Sequence, residues 1–138
     1  MENSGVEINM INELYNLFGE IFENAQYIEW NVALIVSKSH NMTAADLFEK
    51  MQDMTMGQIV SYAKNVEFFG DSDISELEYI LDKRNYLAHQ FFKQNDIVKH
   101  NNNVKFLENK IRELRNILTR FQNYNSALSD FYRENFRK

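Results

Sequence analysis

Through residues 7 to 38 apolar side chains recur every seven positions in two interleaved series, Ile11, Phe18, Ala25, Val32 and Leu14, Ile21, Ile28, Ile35. Both series fall on one stripe of an α-helix, while Glu13, Glu20, Glu23 and Glu29 fall away from it, so the pattern predicts a long amphipathic helix packed along its length. Gly19 weakens that helix locally by about 1 kcal/mol relative to Ala. Ser37 to Met42, with His40 and Asn41, reads as a turn. Thr43 with Asp46 marks the N-cap of a short helix to about Met51, and Thr55 with Gln58 forms a capping box opening a second one to about Phe68. Gly70 to Asp73 make the next break. Ile74, Leu77, Leu81, Ala88 and Phe91 then follow helical spacing to about Phe92, and the Asn-rich stretch from Lys93 to Asn103 reads as a loop. The last helix, about 103 to 134, repeats the paired pattern with Val104, Ile111, Leu118 and Leu107, Leu114, Phe121, Leu128. The expectation is an all-α fold, an antiparallel bundle of four to five helices whose first and last members each span about 45 Å.

Composition narrows this picture. The chain of 138 residues is the size of one domain, taken here as 1–138. It has no Pro and only four Gly, too few turn-formers for an all-β domain. With no Cys it is neither a disulfide scaffold nor a thiol enzyme nor a zinc ribbon. No stretch approaches 18 uninterrupted apolar residues, and residues 1 to 7 carry neither a basic nor an apolar leader region, so a soluble, cytoplasmic protein without membrane contact is expected.

The net charge of −5 argues against coating nucleic acid by bulk electrostatics, but it hides a division. Residues 99 to 138 hold nine Lys or Arg against four acids, whereas residues 1 to 98 hold six basic and sixteen acidic groups, giving +5 and −10. The two parts are expected to complement each other in a bundle or dimer. A local phosphate-contacting stripe is the alternative.

The motifs of nucleotide hydrolysis and zincin chemistry are absent. A di-iron bundle needs Glu-x-x-His, yet the residues three before His40, His89 and His100 are Ser37, Tyr86 and Ile97. No metal or cofactor is expected. His40 and His100 lie in polar segments and read as solvated. His89 differs, because it closes a run in which Arg84, Asn85 and His89 interrupt a helix whose other face is apolar. Asn85 and His89 are four apart and share a face, so Asn85 can hold the ring. Arg84 and His89 are five apart, roughly 140° round the axis. Arg84 must then arch over, or the helix must end near His89, or another chain must complete the site.

At these residues the chain resembles the HEPN superfamily, small helical bundles of prokaryotic toxin–antitoxin and phage-defence systems. The family carries an Arg, usually followed by a polar residue, four to six residues before a His, on the helix preceding a long last helix; Arg84, Asn85 and His89 fit with four between. The resemblance implies a metal-independent endoribonuclease working as a homodimer, with two motifs meeting in one cleft; whether an antitoxin or inhibitor, an RNA, or no further partner controls it stays open. The residue types suit this. An imidazole, with an ordinary pKa of about 6.5, moves the 2′-hydroxyl or leaving-group proton, and a guanidinium holds charge on the phosphorane-like transition state. Attack by the 2′-hydroxyl leaves a 2′,3′-cyclic phosphate and restricts the substrate to RNA. One subgroup continues the motif as His-x-Tyr and is silenced by a nucleotidyltransferase that adds AMP to that Tyr. Here Gln90-Phe91 follows His89, so the hydroxyl is missing, although Tyr86 and Tyr79 lie nearby.

A second reading makes the chain a non-catalytic helical interaction or RNA-binding module, an antitoxin or adaptor. In it Arg84 forms helix ion pairs with Asp82 or Glu78, and His89 caps the last carbonyls. Met42, Met51, Met54 and Met56 read as core filling. Arg120, Tyr124, Phe131, Tyr132, Arg133, Phe136 and Arg137 mix aromatic and basic groups as RNA-binding surfaces do, but read as packing plus a solvated face.

Overall fold

The apolar stripe read along residues 7 to 38 is the inner face of a single helix, α1 (Gly5–Ser39). The computed structural model describes residues 5–39, 43–51 and 54–136, and among these all regular structure is helical. After α1 come α2 (Ala44–Met51), α3 (Met56–Ala63), α4 (Asp71–His89), the single turn α5 (Phe91–Gln94) and α6 (Val104–Phe136). The fold is an all-α bundle with five helices of eight residues or more among the described residues.

The core is one seam. Leu14, Ile21, Ile28, Val32 and Ile35 of α1 and Leu107, Leu114 and Phe121 of α6 are completely or almost completely buried, and α1 with α6 forms the most extensive contact of any two elements. Side-chain pairs fix the directions. Glu13 pairs with Arg115 near one end, and Asn31 donates to Asn125 Oδ1 at 2.7 Å and Ser129 Oγ at 3.1 Å near the other, so α1 and α6 run the same way. Tyr124 reaches the Asp73 carbonyl and Tyr86 the Glu113 carboxylate, so α4 runs antiparallel to α6, and hence to α1. The acidic and basic parts of the chain meet in two of these cross-helix pairs, Glu13–Arg115 and Glu76–Arg120.

The caps form as the sequence predicts. Asp46 N–H donates to Thr43 Oγ1, and both bonds of the Thr55–Gln58 capping box are made. Two boundaries differ. The second short helix stops at Ala63 instead of Phe68: Asn65 and Val66 donate their amides to carbonyls only three residues back, and Val66 and Phe69 turn into the core. The helix expected to reach Phe92 breaks at Gln90, whose φ of −124° lies far from helical values. Met56 is core, as read, and Met54 packs against it; Met42, His40 and the Met51 side chain lie outside the described residues. Among the described residues no helix is long and apolar enough to cross a membrane.

Two phenylalanines, one of α5 and one of α6, test where this seam ends. Phe121 is fully buried and Phe92 is 40% exposed. Phe121→Ala is expected to cost about 3–5 kcal/mol in chemical denaturation and Phe92→Ala less than about 1 kcal/mol. Equal losses would mean that Phe92 is covered in solution.

Candidate functional site at the end of α4

The inner face of α4 is set by Leu77, Ile80 and Leu87, all buried. Seven residues beyond Leu77, the core register lands on Arg84. A cation thus occupies a position where the pattern calls for an apolar side chain, and it escapes by snorkelling: Arg84 is half-buried and its Nη1 lies 3.5 Å from Asn85 Oδ1. Ala88, read from the sequence as part of the apolar face, is exposed, because the buried face is rotated toward Ile80 and Leu87.

Asn85 and His89 point outward and are exposed. Of the three arrangements open to Arg84 and His89, the helix end is observed: α4 closes at His89, and Gln90 N–H still donates to the Tyr86 carbonyl at 2.8 Å. Among the described residues the His89 ring makes no hydrogen bond, neither to Asn85 nor to a helix-end carbonyl. Arg84 takes part in none of the ion pairs found there; Glu78 instead pairs with Lys64, just beyond α3, at 3.0 Å. The structure therefore joins Arg84 to Asn85, while the His89 ring bonds to neither. Among the described residues no group of three His, Asp or Glu side chains converges on a metal position.

Sequence reasoning missed Glu29. The seven-residue pattern puts it with the acids that fall away from the α1 stripe, yet it sits half-buried at the stripe's edge, four residues after Ala25 and three before Val32. Burial pushes its carboxyl above the ordinary carboxylate range, and the nearby positive charge of Arg84 partly offsets this. Its i+4 and i−3 relation to buried residues was the signal available.

The outer side of α4 is tied to α6. Tyr86 Oη donates to Glu113 Oε1 at 3.0 Å and accepts from Asn95 Nδ2 at 3.2 Å. Burial, with the Glu113 charge, raises the Tyr86 phenol. Arg120 chelates Glu76 through two bonds and lies 3.4 Å from the Tyr79 ring centroid. Both tyrosines near the motif are thus engaged, and Phe91, where the subgroup carries its modified Tyr, is fully buried. His100, expected to be solvated, stacks on Phe106 with ring centroids 4.4 Å apart. Of the mixed aromatic–basic set near the C-terminus, Tyr124 is buried, Phe131, Tyr132 and Phe136 pack on the core, and Arg133 pairs with Asp130; Arg137 lies outside the described residues.

The raised carboxyl of Glu29 gives a signed pH effect. The folded chain holds this proton more tightly than the unfolded chain, so the contribution to stability is complete below the ordinary carboxylate range and is lost as pH rises through the raised value. Glu29→Gln is expected to melt above the wild type at neutral pH, with the difference closing in acid, as followed by thermal denaturation. A variant that melts lower at neutral pH would show that attraction to Arg84 outweighs burial.

No family model, curated protein or solved structure matches the chain.

Proposed function

We propose that this chain is a HEPN-type, metal-independent endoribonuclease of a toxin–antitoxin or phage-defence system, acting in the cytoplasm as a homodimer. The observation that carries the reading is the state of the motif at the end of α4. A half-buried Arg84 without an ion-pair partner among the described residues stands next to Asn85, and an exposed, unbonded His89 closes the helix. Had the motif served only to stabilise the helix, Arg84 would pair along it and His89 would cap it; neither contact forms among the described residues.

In this reading the RNA 2′-hydroxyl oxygen attacks the adjacent phosphorus and the bond to the 5′-oxygen breaks. The products are a 2′,3′-cyclic phosphate and a 5′-hydroxyl. His89 moves the proton of the attacking or the leaving oxygen, Arg84 holds the negative charge on the non-bridging oxygens, and Asn85 orients the guanidinium beside it. Within one copy Arg84 and His89 diverge by roughly 140° round α4, so a cleft shared with a second copy brings an Arg and a His to the same phosphate. Phe91 offers no hydroxyl for AMP transfer, so an antitoxin would act by another route.

The test is cleavage of RNA by the purified protein in EDTA, with product ends analysed. Cleavage with cyclic phosphate ends is expected, falling at least about 100-fold in His89→Ala and in Arg84→Ala while the helical content is unchanged. A folded wild type that leaves a panel of RNAs intact would move the assignment to a non-catalytic interaction module.

A further inference from the structure

Cations and aromatic rings alternate in a row across the junction of α4 and α6. From α6 the Arg120 guanidinium lies 3.4 Å from the centroid of the Tyr79 ring. The Lys83 ammonium sits between two rings of its own helix, 5.8 Å from the centroid of Tyr79 and 5.6 Å from that of Tyr86. Tyr86 donates to Glu113, whose other carboxylate oxygen accepts from Lys110 at 3.2 Å. Lys110 in turn lies 5.7 Å from the centroid of Phe106, and Phe106 stacks with His100. One chain of contacts thus runs from Arg120 to the Asn-rich loop. It passes beside the motif, since Tyr86 precedes His89 by three residues, about 4.5 Å of helix rise.

The rings in this row are held in place and still reachable. Tyr79, Tyr86 and Phe106 rest against the core, which fixes their orientation, yet each keeps part of its surface in solvent. The charges are sorted as well. Both carboxylates of the row are already taken, Glu76 by two bonds from Arg120 and Glu113 by Tyr86 and Lys110. Lys83 enters none of the ion pairs among the described residues, so its ammonium is held over two rings with no carboxylate to neutralise it. The remaining cation–ring pair among the described residues, Lys50 over Tyr62, stands alone and continues into no row.

We propose that this row is a binding track for single-stranded RNA that leads an unpaired strand to His89. The alternation selects the ligand. An unpaired strand is itself a series of flat bases joined by phosphates, and proteins that hold one offer rings to the bases and cations to the backbone. Tyr79 and Tyr86 are about 10 Å apart along α4, with Lys83 between them where a phosphate joining two ring-stacked bases would lie. A duplex has no free base faces for these rings, because its bases stack on one another, and an acidic peptide brings carboxylates without a series of flat faces. Both roles of the basic C-terminal part are thereby served: Arg120 and Lys110 neutralise acids of the chain, and the cation they leave uncompensated beside them is Lys83. The route to His89 rests on the ribonuclease reading, which the track deepens by naming unpaired RNA as the substrate class; binding along the track does not require cleavage.

The probe is a fluorescein-labelled strand of about 12 nucleotides of mixed sequence, 2′-O-methylated so that no 2′-hydroxyl can attack, with binding followed by anisotropy in EDTA. The wild type is expected to bind it at least about tenfold more tightly than the same strand annealed to its complement. Lys83→Gln is expected to weaken binding about tenfold and to lower the slope of log affinity against log salt by about 0.7, the share of one phosphate on a single strand. Tyr79→Leu, which keeps an apolar side chain against the core, is expected to weaken it at least about fivefold. Lys50→Gln, which takes the cation from the isolated pair, is expected to stay within about twofold of wild type. No binding by the folded wild type, a duplex bound as tightly as the single strand, or equal losses in Lys83→Gln and Lys50→Gln would overturn the track. Should Tyr79→Leu lose helical content by circular dichroism, the comparison of the two lysine variants still decides. Binding along the track by a protein that cleaves no RNA leaves the track standing and ends the ribonuclease reading; cleavage by a protein whose Lys83→Gln binds as the wild type does the reverse.

Discussion

Burial of the α1–α6 seam is the constraint on which the rest of the molecule depends. Short helices are marginal alone, and α2 and α3 have eight residues each, so their stability must come from surfaces supplied by longer elements. α1, which runs beside α6 in the same direction for most of its length, supplies them, and α4 adds a second surface for α3. That parallel arrangement has a topological consequence: the chain must travel back between them, and α4 is the element that makes the return. The motif helix therefore lies in contact with both long helices, and the direction of every one of its side chains is set by that position.

α4 is accordingly split into two working sides. Toward α6 it is bound by polar contacts, Tyr86 with Glu113 and Asn95, and Arg120 with Glu76 over Tyr79. Toward α1 it presents the core register, in which Arg84 replaces an apolar residue opposite Glu29. A half-buried guanidinium and a half-buried carboxyl that attract across a helix seam without closing to a salt bridge are a costly arrangement compared with two aliphatic side chains. Local violations of packing rules of this kind concentrate where a side chain has work besides stability.

The sequence made the all-α class, the inner faces of α1 and α6 and both short-helix caps legible, because each rests on local spacing: a seven-residue repeat, or a Thr and a polar side chain three residues on. What it did not reveal depends on non-local contacts. Val66 and Phe69 could be read as a continuing helix until the core they fill was known. Leu87 is buried in place of Ala88, and Ile80 more deeply than Leu81, because a helix with few strongly apolar positions leaves its inner face ambiguous by one residue, or about 100°. Glu29 looked solvated because its partner, Arg84, is 55 positions away in the chain. The candidate residues Arg84, Asn85 and His89 can be named from the sequence, but not their geometry; no spacing rule states that α4 ends at His89 or that Arg84 lies on the buried face.

That geometry also connects the site to the aromatic side chains of α1. The interruption at Gln90 keeps Phe91 in the core and sends Phe92 onto α1, so the turn that ends the motif helix also builds the aromatic corner beside Tyr15 and Phe18. A residue that ends α4 and a residue that builds this corner are thus neighbours in sequence and cannot be moved independently. Any change that straightened the chain at Gln90 would carry Phe92 about 100° further round a continuing helix for each residue gained. It would strip the corner from α1 and take from His89 its place at a helix end at the same time. The end of α4 and the aromatic corner on α1 are in this sense one structural unit.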